Sequence, residues 1–211
     1  MKKAIIIGAT SGIGLELAKI LSQNGYCVGI AGRRLSLLEE LKSELGENAF
    51  IQALDVTQPE AIDRLQSLIE KMGGIDLIVI IAGTGSIDPL LPWSKEKETI
   101  DTNVTGFTAI ANTAWHYFKE KGKGHIVGIS SIAAIRGGIA PAYNASKAFV
   151  SNYLQGLRCI ATKAKLPITI TDIQPGFVDT AMAQGEGLFW VASPQKAATQ
   201  IFDAIDRKSV V

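Results

Sequence analysis

The stretch KAIIIGATSGIG, residues 3–14, decides the fold because a short apolar run leads directly into a glycine-rich turn. A run of this length that is apolar throughout is typical of a strand buried on both faces of a parallel sheet. Gly8, Gly12 and Gly14 would allow a tight turn and a close approach of the backbone to a phosphate. The helix that follows would point its N-terminus at a pyrophosphate, so the stretch predicts a nucleotide-binding unit; the alternative is a purely structural turn.

The rest of the chain repeats this alternation of apolar runs and helical patterns. We predict strands over 3–8, 26–32, 49–54, 75–83, 125–130 and 168–173, and helices over 12–24, 35–45, 59–72, 95–121, 142–164 and 194–206. The alternation favours an α/β fold with a doubly wound parallel sheet, a Rossmann-like three-layer α/β/α sandwich with right-handed crossovers. With 211 residues and no linker or repeat, the chain is expected to form a single domain over 1–211.

The composition argues against several classes of protein. Hydrophobic residues make up 47% and charged residues 19%, which is too apolar for a disordered chain, and a net charge of +1 indicates neither a nucleic-acid surface nor a polybasic membrane patch. The first apolar run ends at Gly8, too soon for a signal peptide, and no run approaches a membrane span. Cys27 and Cys159 lack metal-ligand spacing and are expected to be buried thiols, so we expect a cytoplasmic protein without a metal site.

Two arginines follow the second predicted strand, at the position where dinucleotide folds distinguish NAD(H) from NADP(H). In dinucleotide folds an acidic residue about 20 residues past the glycines binds the ribose 2′-hydroxyl. Here the strand ends at Gly32 and is followed by Arg33 and Arg34, with no carboxylate to repel a 2′-phosphate. The pattern favours NADP(H), with NAD(H) left open; the alternative is that both arginines are solvated residues that open the next helix.

Tyr143 and Lys147 lie four residues apart in PAYNASKAFV, residues 141–150. On a helix this spacing places both side chains on one face, although many helices carry such a pair by chance on a solvated surface. An ammonium about 4 Å from a phenol would favour the phenolate by roughly 4 kcal/mol at an effective dielectric of 20. That interaction would bring the pKa of a tyrosine from about 10 towards about 7, where acid–base catalysis is efficient.

The motifs together resemble the short-chain dehydrogenase/reductase family over nearly the whole chain. The matching segments are GATSGIG at 8–14, the pair Asp55–Val56, Asn103 in NVTG, the serines of ISS at 129–131, YNASK at 143–147 and PGFVDT at 175–180. The resemblance implies an oxidoreductase that transfers hydride between NADP(H) and a carbonyl or alcohol substrate. It also implies a homodimer or homotetramer.

The resemblance further implies roles for single residues. Tyr143 would be the general acid for reduction and the base for oxidation, Lys147 would lower its pKa, and Asn103 would hold a water that joins Lys147 to a proton relay. The implied cofactor-binding residues are Gly8, Thr10, Ser11, Gly12, Ile13, Gly14, Arg33, Arg34, Asp55, Val56, Ala82, Gly83, Tyr143, Lys147, Pro175, Gly176, Val178 and Thr180.

Two serines compete for the role of stabilising charge on the substrate oxygen. The span from the second serine to Tyr143 is one residue shorter than is usual in the family. Position after the strand favours Ser131, whereas counting back from the tyrosine favours Ser130. We expect Ser131.

Two further departures from the family pattern affect the site. Ile80 and Ile81 replace the usual asparagine pair before Ala-Gly, so a polar tie to a neighbouring strand is expected to be lost. The family's final strand is expected to be missing, although KSVV at 208–211 resembles the start of one, and the substrate loop near 181–193 is expected to be short. A short loop predicts an open site for small or varied carbonyl compounds. The loop residues that either line this pocket or pack in the core are Met182, Phe189 and Trp190.

Two interpretations other than a dehydrogenase remain. A non-catalytic NADP-binding sensor or interaction protein would keep the glycine turn but would not need the set of catalytic side chains. An epimerase or dehydratase on the same fold would retain its cofactor tightly. A separate feature is an apolar stripe at helical spacing, which is either core packing or a subunit contact. Its members are Ile100, Val104, Phe107, Ala111, Trp115 and Phe118.

Overall fold

A computed structural model describes residues 1–179 and 191–207. Six strands in this part of the chain form one parallel sheet. They are β1 (Lys3–Ile7), β2 (Cys27–Gly32), β3 (Ala49–Ala53), β4 (Leu77–Ile80), β5 (Gly124–Ile129) and β6 (Ile168–Ile173). Their order is β3-β2-β1-β4-β5-β6, which confirms the doubly wound prediction. The order reverses between β1 and β4, and ligands of such sheets bind in the crevice at the carboxyl ends of the strands at this point.

Helices cover both faces of the sheet. They are α1 (Gly12–Gln23), α2 (Leu35–Leu45), α3 (Ala61–Lys71), α4 (Trp93–Ile100), α5 (Phe107–Lys121), α6 (Pro141–Lys163) and α7 (Pro194–Arg207). The side chains of Ile5 and Ile7 pack with α3, α5 and α6, whereas Ala4 and Ile6 pack with α1, α2 and α7. Because alternate residues of one strand serve two cores, the sheet is the middle layer of the predicted sandwich.

The helix predicted over 95–121 is continuous but changes its period in the middle. A π-helical segment, Asp101–Gly106, lies between α4 and α5 and inserts an extra residue into the helical repeat. The apolar stripe therefore changes course: Phe107 and the residues after it pack in the core, but Ile100 is 38% exposed. Core packing is therefore confirmed from Phe107 onwards, and a subunit contact stays a prediction for Ile100.

The loop after β4 starts earlier than the sequence indicates. The strand predicted to reach residue 83 ends at Ile80, since the backbone N–H groups of Ile81 and Ala82 both donate to the carbonyl of Ile7. Ile80 is buried and Ile81 packs against the core on the α1 side. In place of an asparagine tie, the loop is thus fastened by main-chain hydrogen bonds and apolar packing.

The two cysteines test the expectation of buried thiols. The thiol of Cys27 is buried as expected, but Cys159 is exposed, because its position on α6 faces away from the sheet. The expectations for residues 180–190, and for the strand-like KSVV at 208–211, lie outside the described residues.

Candidate active site

The glycine-rich turn joins β1 to α1 by a backbone path that side chains would block. Gly8 has a φ of 100° and Gly12 a φ of 56°, values that L-residues rarely adopt. A Cβ on Gly14 would lie 2.1 Å from the carbonyl oxygen of Gly8, and a Cβ on Gly8 would lie 2.7 Å from the nitrogen of Ala82. Ile13, between the glycines, packs against the core. The N-terminus of α1 therefore opens onto the crevice between β1 and β4, as a pyrophosphate site requires.

Arg34 reaches back to this turn. Its Nη2 donates to the hydroxyl of Thr10 at 2.7 Å and to the hydroxyl of Ser11 at 2.9 Å. Ser11 precedes α1 but makes no side-chain capping bond to it, so its hydroxyl is directed to the arginine. A guanidinium held between two hydroxyls beside a helix N-terminus is well suited to a phosphate monoester.

The two neighbouring arginines are not equivalent. Arg33 lines a separate cavity of about 310 Å³ together with Thr57, Lys97 and Asp101. Asp101 also forms an ion pair with Lys97, so this cavity contains both positive and negative charges. The sequence treats Arg33 and Arg34 as one pair, whereas the structure directs only Arg34 to the glycine turn.

The pair Asp55–Val56 lies in the loop after β3. The carboxylate of Asp55 accepts hydrogen bonds from the backbone N–H of Thr57 at 3.0 Å and from its hydroxyl at 2.8 Å, which fixes the side chain. Val56 packs tightly against Gly106, where a Cβ would lie 2.7 Å from Cγ2 of the valine. The end of the π-helical segment thus supports the loop of Asp55 and Val56, whose binding of the cofactor stays a prediction.

Asn103 fastens two elements of the site. Its Oδ1 accepts from the backbone N–H of Thr84 at 2.8 Å, and its Nδ2 donates to the carbonyl of Thr84 at 2.7 Å and to the hydroxyl of Ser146 at 2.9 Å. The carboxamide therefore ties the loop after β4 to α6. A Cβ on Gly83 would meet both Oδ1 of Asn103 and Nζ of Lys147, at 3.2 and 3.5 Å. The water-holding role of Asn103 stays a prediction.

Tyr143 lies in the first turn of α6 and faces the serine loop, which we define as residues 130–136 after β5. Its hydroxyl lies near the side chain of Ser131, which influences its pKa. Burial raises the pKa of Tyr143 above its ordinary value, and the hydroxyl of Ser131 acts in the opposite direction. The loop after β4 packs on the phenol ring, because a Cβ on Gly85 would lie 2.5 Å from its Cδ2.

Of the two candidate serines, Ser131 is the one beside Tyr143. The hydroxyl of Ser130 instead donates to the carboxylate of Asp172 at 2.5 Å and to the carbonyl of Ile173 at 3.3 Å. Successive residues of an extended chain point to opposite sides, so only one of two adjacent serines faces the tyrosine.

Lys147 is buried one turn along α6 from the tyrosine. Its Nζ donates to the carbonyl of Ile129 at 2.8 Å and lies 5.7 Å from the centre of the Tyr143 ring. Burial lowers the pKa of Lys147 to about 8, while the charge of Asp172 raises it. The expected fall in the pKa of Tyr143 is wrong for this structure, because burial raises that pKa.

The segment that begins at Pro175 runs beside the serine loop. The carbonyl of Pro175 accepts from the backbone N–H of Ile132 at 3.1 Å, and Gly176 lies against the side chain of the same residue. Val178 pairs with Ala192 in an isolated parallel bridge. Pro175, Gly176 and Val178 thus line the same edge of the sheet as Tyr143, and Thr180 lies outside the described residues.

Sequence reasoning missed two polar residues of this site. Asn144 donates from Nδ2 to the carbonyls of Ala133 and Arg136, at 3.0 and 3.3 Å, and so holds the serine loop to α6. Asp172 carries the buried carboxylate near Lys147. A signal for Asp172 was present, because it is the only charged residue in the apolar strand ITITDI.

The sequence and the structure were compared with known proteins. A family model described as short chain dehydrogenase matches residues 2–188. An uncharacterized oxidoreductase of Myxococcus xanthus is 39% identical over 189 residues, which are 86% of this chain and 74% of the relative. An uncharacterized oxidoreductase of Mycobacterium tuberculosis is 34% identical over 192 residues, 86% of this chain and 75% of the relative.

Solved structures agree with these relatives. The crystal structure of serine dehydrogenase from Escherichia coli superposes with a TM-score of 0.83 at 29% identity, over 96% of this chain and 90% of that chain. The closed form of serine dehydrogenase complexed with NADP⁺ gives a TM-score of 0.87 at 27% identity, over 96% and 88% of the two chains. Within the described residues, no helix has the length and apolar character needed to cross a membrane.

Proposed function

The chain belongs to the short-chain dehydrogenase family and is an oxidoreductase, and on this premise we propose that it transfers hydride between NADP(H) and a carbonyl or alcohol substrate. One observation carries the proposal: Ala82 and Gly83 connect the glycine turn to the catalytic side chains. Ala82 lies against Gly8, and Gly83 lies against Lys147 and Asn103. A dinucleotide on the turn would therefore extend towards Tyr143 along the carboxyl edge of the sheet.

The nicotinamide, when bound, supplies or accepts the hydride. The residues of this chain handle the proton. Because burial raises the pKa of Tyr143, its hydroxyl stays protonated at neutral pH and is ready to donate to a carbonyl oxygen. Ser131, which lies beside the tyrosine, would stabilise charge on the same oxygen. The ammonium of Lys147 is the cationic group that would stabilise the phenolate left behind.

The contacts of Arg34 support NADP(H) as the preferred form of the cofactor. Its guanidinium is held by Thr10 and Ser11 beside the N-terminus of α1, where a ribose 2′-phosphate would add charge-assisted hydrogen bonds. The serine dehydrogenase that resembles this chain holds NADP⁺. We assign a smaller part to Arg33, which lines a different cavity.

The test of the proposed function is Tyr143→Phe. Loss of the hydroxyl should reduce the turnover of NADPH with a panel of carbonyl compounds by about 10³-fold, with the Kd for NADPH near that of the native chain. Tyr153→Phe is the matched control, because Tyr153 lies on the same helix and stacks on Phe149. Turnover that survives in Tyr143→Phe would refute the mechanism. Tight NADPH binding with no turnover of any panel member in the native chain would instead favour the sensor.

We also propose a homodimer or homotetramer and a cytoplasmic location for this enzyme. Phe149 and Ile160 are exposed on the outer side of α6 and support a subunit contact there. Light scattering of the purified chain measures its mass, and a monomer would contradict the first proposal. A site open to varied carbonyl compounds is the matching proposal for the substrate, and a narrow preference for one bulky compound in the panel would contradict it.

A further inference from the structure

A buried polar cluster lies at the carboxyl ends of β5 and β6, against α6. We define it by Asp172, Ser130, Ser151 and Gln174. Asp172 is 4% exposed. Its Oδ1 accepts from the hydroxyl of Ser130 at 2.5 Å, and its Oδ2 accepts from the hydroxyl of Ser151 at 2.6 Å and from Nε2 of Gln174 at 2.9 Å. The hydride and proton transfer described so far uses none of these four side chains.

The hydrogen bonds indicate an ionised carboxylate. Three donors converge on the two oxygens of Asp172, and one of them, the amide nitrogen of Gln174, can only donate. A carboxylate that accepts several hydrogen bonds is stabilised in its charged form. A buried charge also needs an opposite charge in the neighbourhood, because its desolvation is costly.

The charged groups around the cluster point to Lys147 as that opposite charge. On α6, Lys147 is 6% exposed and lies one turn before Ser151, which donates to Asp172. Nζ of Lys147 donates to the carbonyl of Ile129, next to Ser130 of the cluster, and the charge of Asp172 raises the pKa of the lysine. Arg158 is directed to the carbonyl of Ile170. The other titratable groups on the packed elements are engaged elsewhere. On β5, His125 contacts the hydroxyl of Thr171, and on α4, Glu96 accepts from the backbone N–H of Ala142.

We propose that Asp172 is a positioning residue of the reaction: its buried carboxylate keeps Lys147 charged and, through Lys147, stabilises the phenolate form of Tyr143. The inference rests on the proposed function, and it adds Asp172 as a residue that acts on Tyr143 through Lys147. Lys147 has one hydrogen-bond acceptor among the described residues, the carbonyl of Ile129, and burial favours its neutral amine. The negative charge of Asp172 opposes that effect. Asp172 itself touches no reacting atom.

The competing explanation is that Asp172 only holds β6 to α6 through Ser151. Asp172→Asn and Ser151→Ala separate the two explanations. The asparagine keeps the shape and removes the charge, whereas Ser151→Ala removes the link to α6 and keeps the charge. A structural link would make the two variants behave alike.

The experiment is an NMR titration of lysine side chains labelled with ¹⁵N at Nζ in the full chain, with the Lys147 signal assigned by its absence in Lys147→Arg. We expect the pKa of Lys147, about 8 in the native chain, to fall by about one unit in Asp172→Asn. It should stay near the native value in Ser151→Ala, and Asp172→Glu, which keeps the charge, should restore most of it. An unchanged pKa in Asp172→Asn, or an equal fall in Ser151→Ala, overturns the proposal.

This readout needs no substrate, so it stands apart from the test of Tyr143. A second readout covers the case in which Asp172→Asn does not fold. If the two groups are a charge pair, Lys147→Met leaves a buried carboxylate without its cation, and the double variant Lys147→Met/Asp172→Asn should have a higher Tm than Lys147→Met alone. An equal or lower Tm of the double variant overturns the proposal.

Discussion

Replacing Arg34 with alanine should weaken the binding of NADPH while leaving that of NADH nearly unchanged. The guanidinium is already held at 2.7 Å from Thr10 and 2.9 Å from Ser11, so it needs little reorganisation to bind a 2′-phosphate. A hydrogen bond to a charged partner contributes about 2 kcal/mol. At about 1.4 kcal/mol per tenfold change in Kd, the variant should bind NADPH roughly 30-fold more weakly.

The assay is isothermal titration calorimetry of the full chain with NADPH and, separately, with NADH. NADH lacks the 2′-phosphate, so its Kd should change by no more than about threefold in Arg34→Ala. Arg33→Ala is the matched control: it removes the same charge one residue away, from a side chain that lines another cavity, and should cost NADPH affinity less. Arg34→Lys keeps the charge without the planar guanidinium, so its loss of NADPH affinity should lie between those of Arg33→Ala and Arg34→Ala. Equal losses for both nucleotides in Arg34→Ala, or a larger loss in Arg33→Ala, would refute the reasoning.

Three other outcomes are expected. Gly14→Ala should destabilise the chain by more than about 2 kcal/mol in thermal unfolding, because its Cβ would lie 2.1 Å from the carbonyl of Gly8, whereas Gly156→Ala in the open middle of α6 should stabilise it by about 0.5 kcal/mol. Asn144→Ala removes two hydrogen bonds that hold the serine loop and should lower kcat about tenfold with an unchanged Kd for NADPH; a changed Kd with a native kcat would contradict that role. Lys147 has a pKa of about 8 in the folded chain, against an ordinary value of 10.5, so the unfolded chain binds more protons between these two pH values. The contribution of Lys147 to the free energy of unfolding therefore becomes more favourable as pH rises through that window. The stability of the native chain relative to Lys147→Met should therefore increase from pH 8 to 10.5, and a flat difference would show that the pKa is not lowered.

The sheet and the glycine turn could be predicted from the sequence because their causes are local. A run such as KAIII can be buried on both faces only in a covered sheet, and the glycines of 8–14 are needed where Gly14 touches Gly8. The alternation of such runs with helices then leaves few topologies, and the observed strand order is one of them.

The electrostatics of the site could not be predicted in the same way. The spacing of Tyr143 and Lys147 correctly indicates a shared helix face, but it does not contain the carbonyl of Ile129, which draws the ammonium to its position 5.7 Å from the phenol ring. The direction of the tyrosine pKa shift depends on burial by other segments, and the loop of Gly85 that packs on the ring is far from it in sequence. The π-helical segment could not be predicted either, because one inserted residue leaves the sequence with the composition of an ordinary helix.

That inserted residue separates two halves of one continuous helical rod. Each residue of an α-helix turns the side chains by about 100°, so deleting one residue within 101–106 would rotate α4 relative to α5 by about that angle. The core side of α5 would keep its packing, while Asn103 would swing away from Thr84 and Ser146. A substitution changes which side chain is present, whereas a single deletion here changes the direction in which Asn103 points. Through this short segment, the orientation of the loop over Tyr143 can be changed independently of the core.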